Sequence, residues 1–276
     1  MSNLSVVCII FTFFVSLLLP LGFLVFYALR HKKQGIWRAW LVGALGFFVP
    51  QILIRLPILT ALSRMEGFVT FAQTHPWSYS LSLAFTAGLF EVVGRYVVAR
   101  CLKKNLTYRR ALAAGLGHGG IEAIIITGLV YLNNIVYLVM FQTGSLDAQI
   151  AQTADPTALL AIKDGMMNTS WILFFLAGFE RLLAMTCHAA MSMLVCYGVH
   201  RGKAAPTIFA FAMHVCMDSV AGISQMIGKS LTLAQGYTII YILLMAFTVL
   251  AVLILKNIRA RWDAETAQEV PYDSQA

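Results

Sequence analysis

The chain has 276 residues, 59% of them hydrophobic and 12% charged, whereas soluble domains carry about 25% charged residues. That composition excludes a soluble globular protein and makes lipid the expected solvent for most of the chain. The net charge of +8 does not point to a nucleic-acid partner, because the basic residues sit between apolar stretches and not on one folded patch. Cys8, Cys101, Cys187, Cys196 and Cys216 contain no Cys-x-x-Cys spacing and lie in or beside apolar stretches. They read as small packing residues, with neither disulfides nor a thiolate metal site.

A helix needs about 20 mainly apolar residues to cross a hydrocarbon core of ~30 Å. Seven stretches qualify: Val6 to Leu29, Trp40 to Leu62, Ser78 to Val98, Ala111 to Phe141, Trp171 to Val199, Ala204 to Met226 and Gly236 to Leu255. The first has no preceding Lys or Arg and is too long for the core of a cleavable signal. Pro50 and Pro57 flank Arg55 in the second and predict a kink. The fourth and fifth exceed the bilayer requirement and must tilt, bend or project. The chain therefore reads as an all-α, polytopic transmembrane helix bundle. It is expected to be a single membrane domain over residues 1–262, with a polar core in spans 78–226, and a disordered cytoplasmic tail over 263–276. The segment from Gln142 to Ser170 reads as a surface loop with a short interfacial helix around Leu159 to Ile162. No inverted repeat of the transporter kind is evident.

Orientation follows from Lys and Arg in the connections. With the N-terminus outside, fourteen of the 20 Lys and Arg fall in cytoplasmic segments. Arg64, Lys163 and Lys229 fall outside, and Arg55, Arg95 and Arg181 lie within spans. This asymmetry predicts N-out and C-in for a plasma-membrane protein.

Charged side chains at bilayer depth cost about 2.5–3.5 kcal/mol each on insertion scales, so they concentrate at functional sites. Here they fall on four consecutive spans: Glu91 and Arg95, then His118 and Glu122, then Glu180, Arg181 and His188, then His214 and Asp218. Three of these sets are i,i+4 pairs on one helix face. Counted along antiparallel helices at 1.5 Å per residue, Glu91, His118 and His214 reach a similar depth of ~12–15 Å. Each pair alone is also explained as a salt bridge or as polar glue between helices, and Arg181 and Arg55 as structural cations. Three histidines at comparable depth exceed what glue requires. The glycines at 115, 117, 119 and 120 permit close helix approach and also leave room near His118.

Histidines with carboxylates suit water activation, in which a carboxylate takes a proton and a histidine or a metal stabilises the developing charge. They equally suit a relay that moves protons or ions. His118, His188 and His214 with a carboxylate would serve Zn²⁺, and a metal-free mechanism is equally compatible with the residues.

The order of these motifs resembles the YhfC family of predicted intramembrane proteases, similar to PrsW and to the CAAX-prenyl and bacteriocin-processing proteases. Glu-x-x-x-Arg is followed by Gly-x-Gly-His, by a helix with Glu-Arg and His, and by His-x-x-x-Asp. The resemblance covers Phe90 to Val220 and implies that Glu91 activates water, that Arg95 orients it, and that His118, His214 and Asp218 complete the site. Phe90 stands where the wider group has the first of two glutamates. Ala114 replaces an aromatic, and Asp218 an asparagine. Glu122, Glu180 and His188 have no clear counterpart in the wider group; Glu122 is counted with the catalytic candidates and His188 with the metal candidates, and Glu180 and Arg181 are supporting candidates. The leading expectation is a membrane peptidase acting on a transmembrane or membrane-associated peptide. A proton-coupled transporter and a non-catalytic membrane scaffold are the alternatives.

The charge asymmetry makes the topology testable. In a cysteine-free background, Ser145→Cys should react with an impermeant thiol reagent on intact cells, and Gln34→Cys only after permeabilisation. The reverse pattern would invert the orientation.

Overall fold

The structure is a computed structural model and describes residues 1–227 and 232–268. Among the described residues the chain is helical throughout, with no strand. The helices in chain order are α1 (Asn3–Arg30), α2 (Ile36–Leu62), α3 (Glu66–Thr74), α4 (Pro76–Leu102) and α5 (Tyr108–Gln142). They are followed by α6 (Ser145–Gln152), α7 (Thr157–Asn168), α8 (Trp171–Arg201), α9 (Ala205–Ile227) and α10 (Leu233–Gln268). Six helices are long and apolar enough to cross a membrane, and α9 adds a shorter apolar stretch, Ala205–Val220. The seven predicted spans are thus all helices, in a polytopic membrane bundle. Many large apolar side chains face outward, among them Val7, Phe26, Leu53, Val93 and Ile242, as a lipid solvent permits.

Ends and irregularities follow from local chemistry. The Ser2 hydroxyl caps α1 by accepting from the Ser5 amide (3.1 Å). Pro76 opens α4 at a position whose N–H has no helical partner anyway. Pro50 lacks an amide, and the predicted kink is met by a π-helical stretch, Phe48–Arg55, inside α2.

Contacts group the described residues into two compact units. The first comprises residues 1–23 and 122–182. Cys8, Ile9, Tyr131, Leu138, Met166 and Phe174 form its core, and the Thr12 hydroxyl donates to the Phe174 carbonyl (2.6 Å). Between α5 and α8 it holds two helices, not a loop with one short helix. Gly144, at φ +73°, breaks the chain before α6, and Asp155 accepts from the Thr157 amide (3.0 Å) to start α7. Lys163 of α7 donates to Asp147 of α6 (2.5 Å).

The second unit comprises residues 24–121 and 183–276. Its core runs along α2, α4, α5, α8, α9 and α10, from Ile36 to Trp262. Glycines set its helix spacing. A Cβ on Gly43 would lie 2.0 Å from the Ala114 carbonyl oxygen, and one on Gly117 2.0 Å from that of Trp40. A Cβ on Gly94 would lie 2.0 Å from the Gly46 carbonyl oxygen. α2 therefore touches α5 and α4 backbone to backbone, as small residues allow in membranes.

The polar segment from Asp263 is helical as far as Gln268, against the expectation of disorder. The reason is a set of partners on α8: Trp262 stacks on His200 (4.8 Å), and Glu265 meets Arg201 (2.8 Å) and accepts from Tyr197 (2.9 Å). Residues 269–276 of the expected tail, and Lys229 of the charge argument, lie outside the described residues.

Gly94→Ala should lower the unfolding free energy by about 1–3 kcal/mol or more, because the new methyl meets backbone. Gly67→Ala, with open space around it, should be neutral or stabilising by up to ~1 kcal/mol. Thermal unfolding in detergent checks both signs.

Candidate active site

The second unit buries a cluster of ionisable side chains. Glu91 (4% exposed) and Arg95 (2%) come from α4, His118 (1%) from α5, His188 (3%) from α8 and His214 (2%) from α9. Helix proximity brings them together. The Gly46–Gly94 contact seats α4 on α2, while Gly115 and Gly119 press α5 against Ala189, Met185 and His188 of α8. The i,i+4 spacing of Glu91 and Arg95 then turns both toward one interior.

The Glu91 carboxylate is the hub. Its Oε2 accepts from Arg95 Nη2 (2.9 Å) and lies 3.0 Å from His118 Nε2. Nδ1 of His188 and Nδ1 of His214 each lie 3.5 Å from the same oxygen. Its Oε1 accepts from Gln51 Nε2 (2.6 Å). A carboxylate at this depth is tolerable only with such charge-assisted bonds. The rings pack on one another: His118 on His188 (5.6 Å, 24°), His188 against His214 (5.5 Å, 73°), and Phe47 edge-on to His118 (5.5 Å).

Donor rules assign the protons. A guanidinium only donates. His188 Nδ1 (2.6 Å) and His214 Nδ1 (3.3 Å) are therefore acceptors toward Arg95. The remaining nitrogen of His214, Nε2, then carries the proton and donates to Asp218 Oδ2 (3.2 Å). His118 donates through Nε2 to Glu91, and its buried Nδ1 has no hydrogen-bond partner among the described residues.

Other predicted residues fall elsewhere. Asp218 is partly exposed and reaches the cluster through His214. Glu122, Glu180 and Arg181 belong to the first unit, where Arg181 pairs with Glu122 (3.2 Å) and with Glu180. Their depth along the sequence says nothing about the direction in which they face.

Sequence reasoning missed Gln51 and gave Arg55 only a structural role. Arg55 donates to Gln51 Oε1 (3.3 Å), to the Leu83 carbonyl (2.8 Å) and to Thr86 (3.3 Å). With its oxygen held by Arg55, the Gln51 amide must present its NH₂ to Glu91. The available signal was the i,i+4 pair Gln51 and Arg55 beside Pro50. An uncharged amide gives no charge signal in an apolar span.

A multi-pass helical membrane protein with a buried Glu–Arg–His centre is the class that this fold and site define. Residues 15–240 match the family model described as YhfC intramembrane metalloprotease, a stretch that includes every residue of the cluster. The chain belongs to that family. It is 30% identical over 212 residues to a Bacillus subtilis (strain 168) protein described as "Uncharacterized membrane protein YhfC", covering 76% of this chain and 81% of that protein. No solved structure matches the chain.

The family description implies a metal, and the residues fit one. Glu91, His118 and His188 each offer a ligand atom, all within 4.8 Å of one another. One carboxylate with two imidazoles is a zinc donor set; His118 faces Glu91 through Nε2 (3.0 Å), and its partnerless Nδ1 can take the proton that Nε2 must give up to bind a metal. The same donors are engaged by Arg95, so a metal and the guanidinium compete for His188 Nδ1 and Glu91 Oε2.

Gln51→Leu should strand Glu91 Oε1 and lower stability by about 1–3 kcal/mol, while Gln73→Leu at an exposed site should change it by less than ~0.5 kcal/mol. Equal effects in a detergent unfolding assay would remove Gln51 from the site.

Proposed function

We propose that this protein is an intramembrane peptidase that hydrolyses a peptide bond within or beside the bilayer. Glu91, His118 and His188 would hold a divalent metal, and His214 would carry the proton. The observation behind this reading is the convergence of one carboxylate and two imidazoles on a common buried point. Membership of an intramembrane metalloprotease family supports a metal-assisted reaction over a glutamate acting alone. Zn²⁺ in such a donor set supplies Lewis acidity toward water and a carbonyl.

The remaining residues divide the work by what each atom can do. Asp218 holds the Nε2 proton of His214 and keeps its Nδ1 turned inward, beside Glu91. That nitrogen takes a proton from water and returns it to the departing amide. Arg95, whose guanidinium lies against Glu91, His188 and His214, would offer N–H groups to a developing oxyanion. Gln51, steadied by Arg55, holds the second oxygen of Glu91 so that the first stays aimed at the histidines. The substrate is a membrane-embedded or membrane-associated peptide, since the donors lie deep among apolar helices.

Purified protein should hold about one equivalent of zinc by elemental analysis, lost in His118→Ala and His188→Ala. His214→Gln should keep the metal and lower turnover about 10²–10⁴-fold. Glu91→Gln should remain folded and stop cleavage, read as membrane peptides that accumulate in cells carrying it. Arg95→Gln should bind zinc more tightly than wild type, because a competitor is gone. Metal-free wild-type protein, together with Glu91→Gln cleaving at the wild-type rate, would sink the reading.

A further inference from the structure

We propose that the turn between α1 and α2 is a binding site for the headgroup of an anionic phospholipid. This site is separate from the peptidase centre and does not depend on that reading. A cavity of about 250 Å³ opens there, lined by Ala28, His31, Lys33, Ile36, Trp37 and Arg38. It lies just below the roughly 300–1,000 Å³ of pockets that take drug-sized molecules, which suits a ligand the size of a headgroup.

The charge on this site is one-sided. Lys33 and Arg38 line the cavity. Arg110 packs its guanidinium against Gly35 (3.6 Å from a Cβ built there), and Arg109 reaches Gln34 (3.3 Å). No Asp or Glu precedes Glu66, and none occurs between Glu91 and Glu122, so the segments framing the cavity bring no carboxylate. Asp263 and Glu265 of α10 are already paired with Arg259 (3.7 Å) and Arg201 (2.8 Å). Loss of hydration, and then Arg109 and Arg30, hold the His31 imidazole below its ordinary pKa, consistent with a positive field.

Backbone and surroundings favour a lipid over a free ion. Lys33 (φ +68°) and Gly35 (φ +66°) are both left-handed, and no side chain caps the first turn of α2, whose amides remain for an incoming acceptor. Trp37 is 52% exposed beneath the Arg38 guanidinium (5.1 Å), an interfacial arrangement. The two helices that frame the cavity continue into outward-facing Phe26, Leu29, Leu41 and Leu45, a surface for acyl chains. A basic pocket at the end of membrane helices, continuous with an apolar face, matches the chemistry of a phosphate carrying two chains.

The test places the full-length protein in phosphatidylcholine nanodiscs and titrates phosphatidylglycerol, with bound lipid counted by native mass spectrometry. The double variant Lys33→Gly/Arg38→Gln removes two charges, and glycine suits the left-handed backbone at 33. Wild type should prefer phosphatidylglycerol, and the double variant should lose about thirty-fold in affinity. Arg38→Lys should retain binding, as should Lys103→Gln/Lys104→Gln outside the cavity. Three results would overturn the proposal. One is no preference over phosphatidylcholine; another is an equal loss in the 103/104 variant, which would mean diffuse attraction. The third is displacement by inorganic phosphate alone, which would make this a free-anion pocket.

Discussion

The second unit is organised around one buried carboxylate. Taking Glu91 out of water costs several kcal/mol after relaxation, and only a compensating set of charges and hydrogen bonds makes that tolerable. Gln51, Arg95 and His118 supply it, from three different helices. Further groups hold parts of this set in turn: Arg55 holds Gln51, and Asp218 holds His214, which shares Arg95. A network of this kind specifies helix rotation, because turning α4 away would leave a charge buried without partners.

Close backbone approach makes the network reachable. Side chains from α2, α4, α5 and α8 meet within hydrogen-bond distance only because Gly43, Gly94, Gly117 and Gly119 let their helices touch. Lipid offers no hydrophobic drive for helices to associate, so van der Waals contact between small residues has to supply it. The π-helical stretch of α2 sits where Gln51 turns toward Glu91, and π-bulges often mark functional positions. Packing and chemistry therefore share residues: the glycines that close the bundle are neighbours in sequence of the side chains that form the site.

Some of the site was legible before any fold. Glu91 with Arg95 and His214 with Asp218 carried i,i+4 spacing and an order on successive helices that resembled a family, and membership of that family is confirmed by the match over residues 15–240. His188 was a weaker candidate, having no partner at helical spacing on its own helix in that cluster. Its place appears only when α8 lies on α5. Glu122 looked equal to His118 but pairs with Arg181 instead, since depth along a helix says nothing about which neighbour it meets. Only a short interfacial helix is legible around α6 and α7, because short amphipathic helices carry weak periodicity, and the order of the segment from Asp263 depends on partners 60 or more residues away on α8.

By itself, the sequence determined residence in the membrane, the seven apolar helices, and the inventory of ionisable groups. These follow from composition and from spacing along a single helix, which are local properties. Tertiary structure decided which of those groups share an interior, because Arg95 and His214 are 119 residues apart in the chain and 3.3 Å apart in space. Contacts across such separations depend on helix rotation and interhelical distance, and both are set by packing that no single segment encodes.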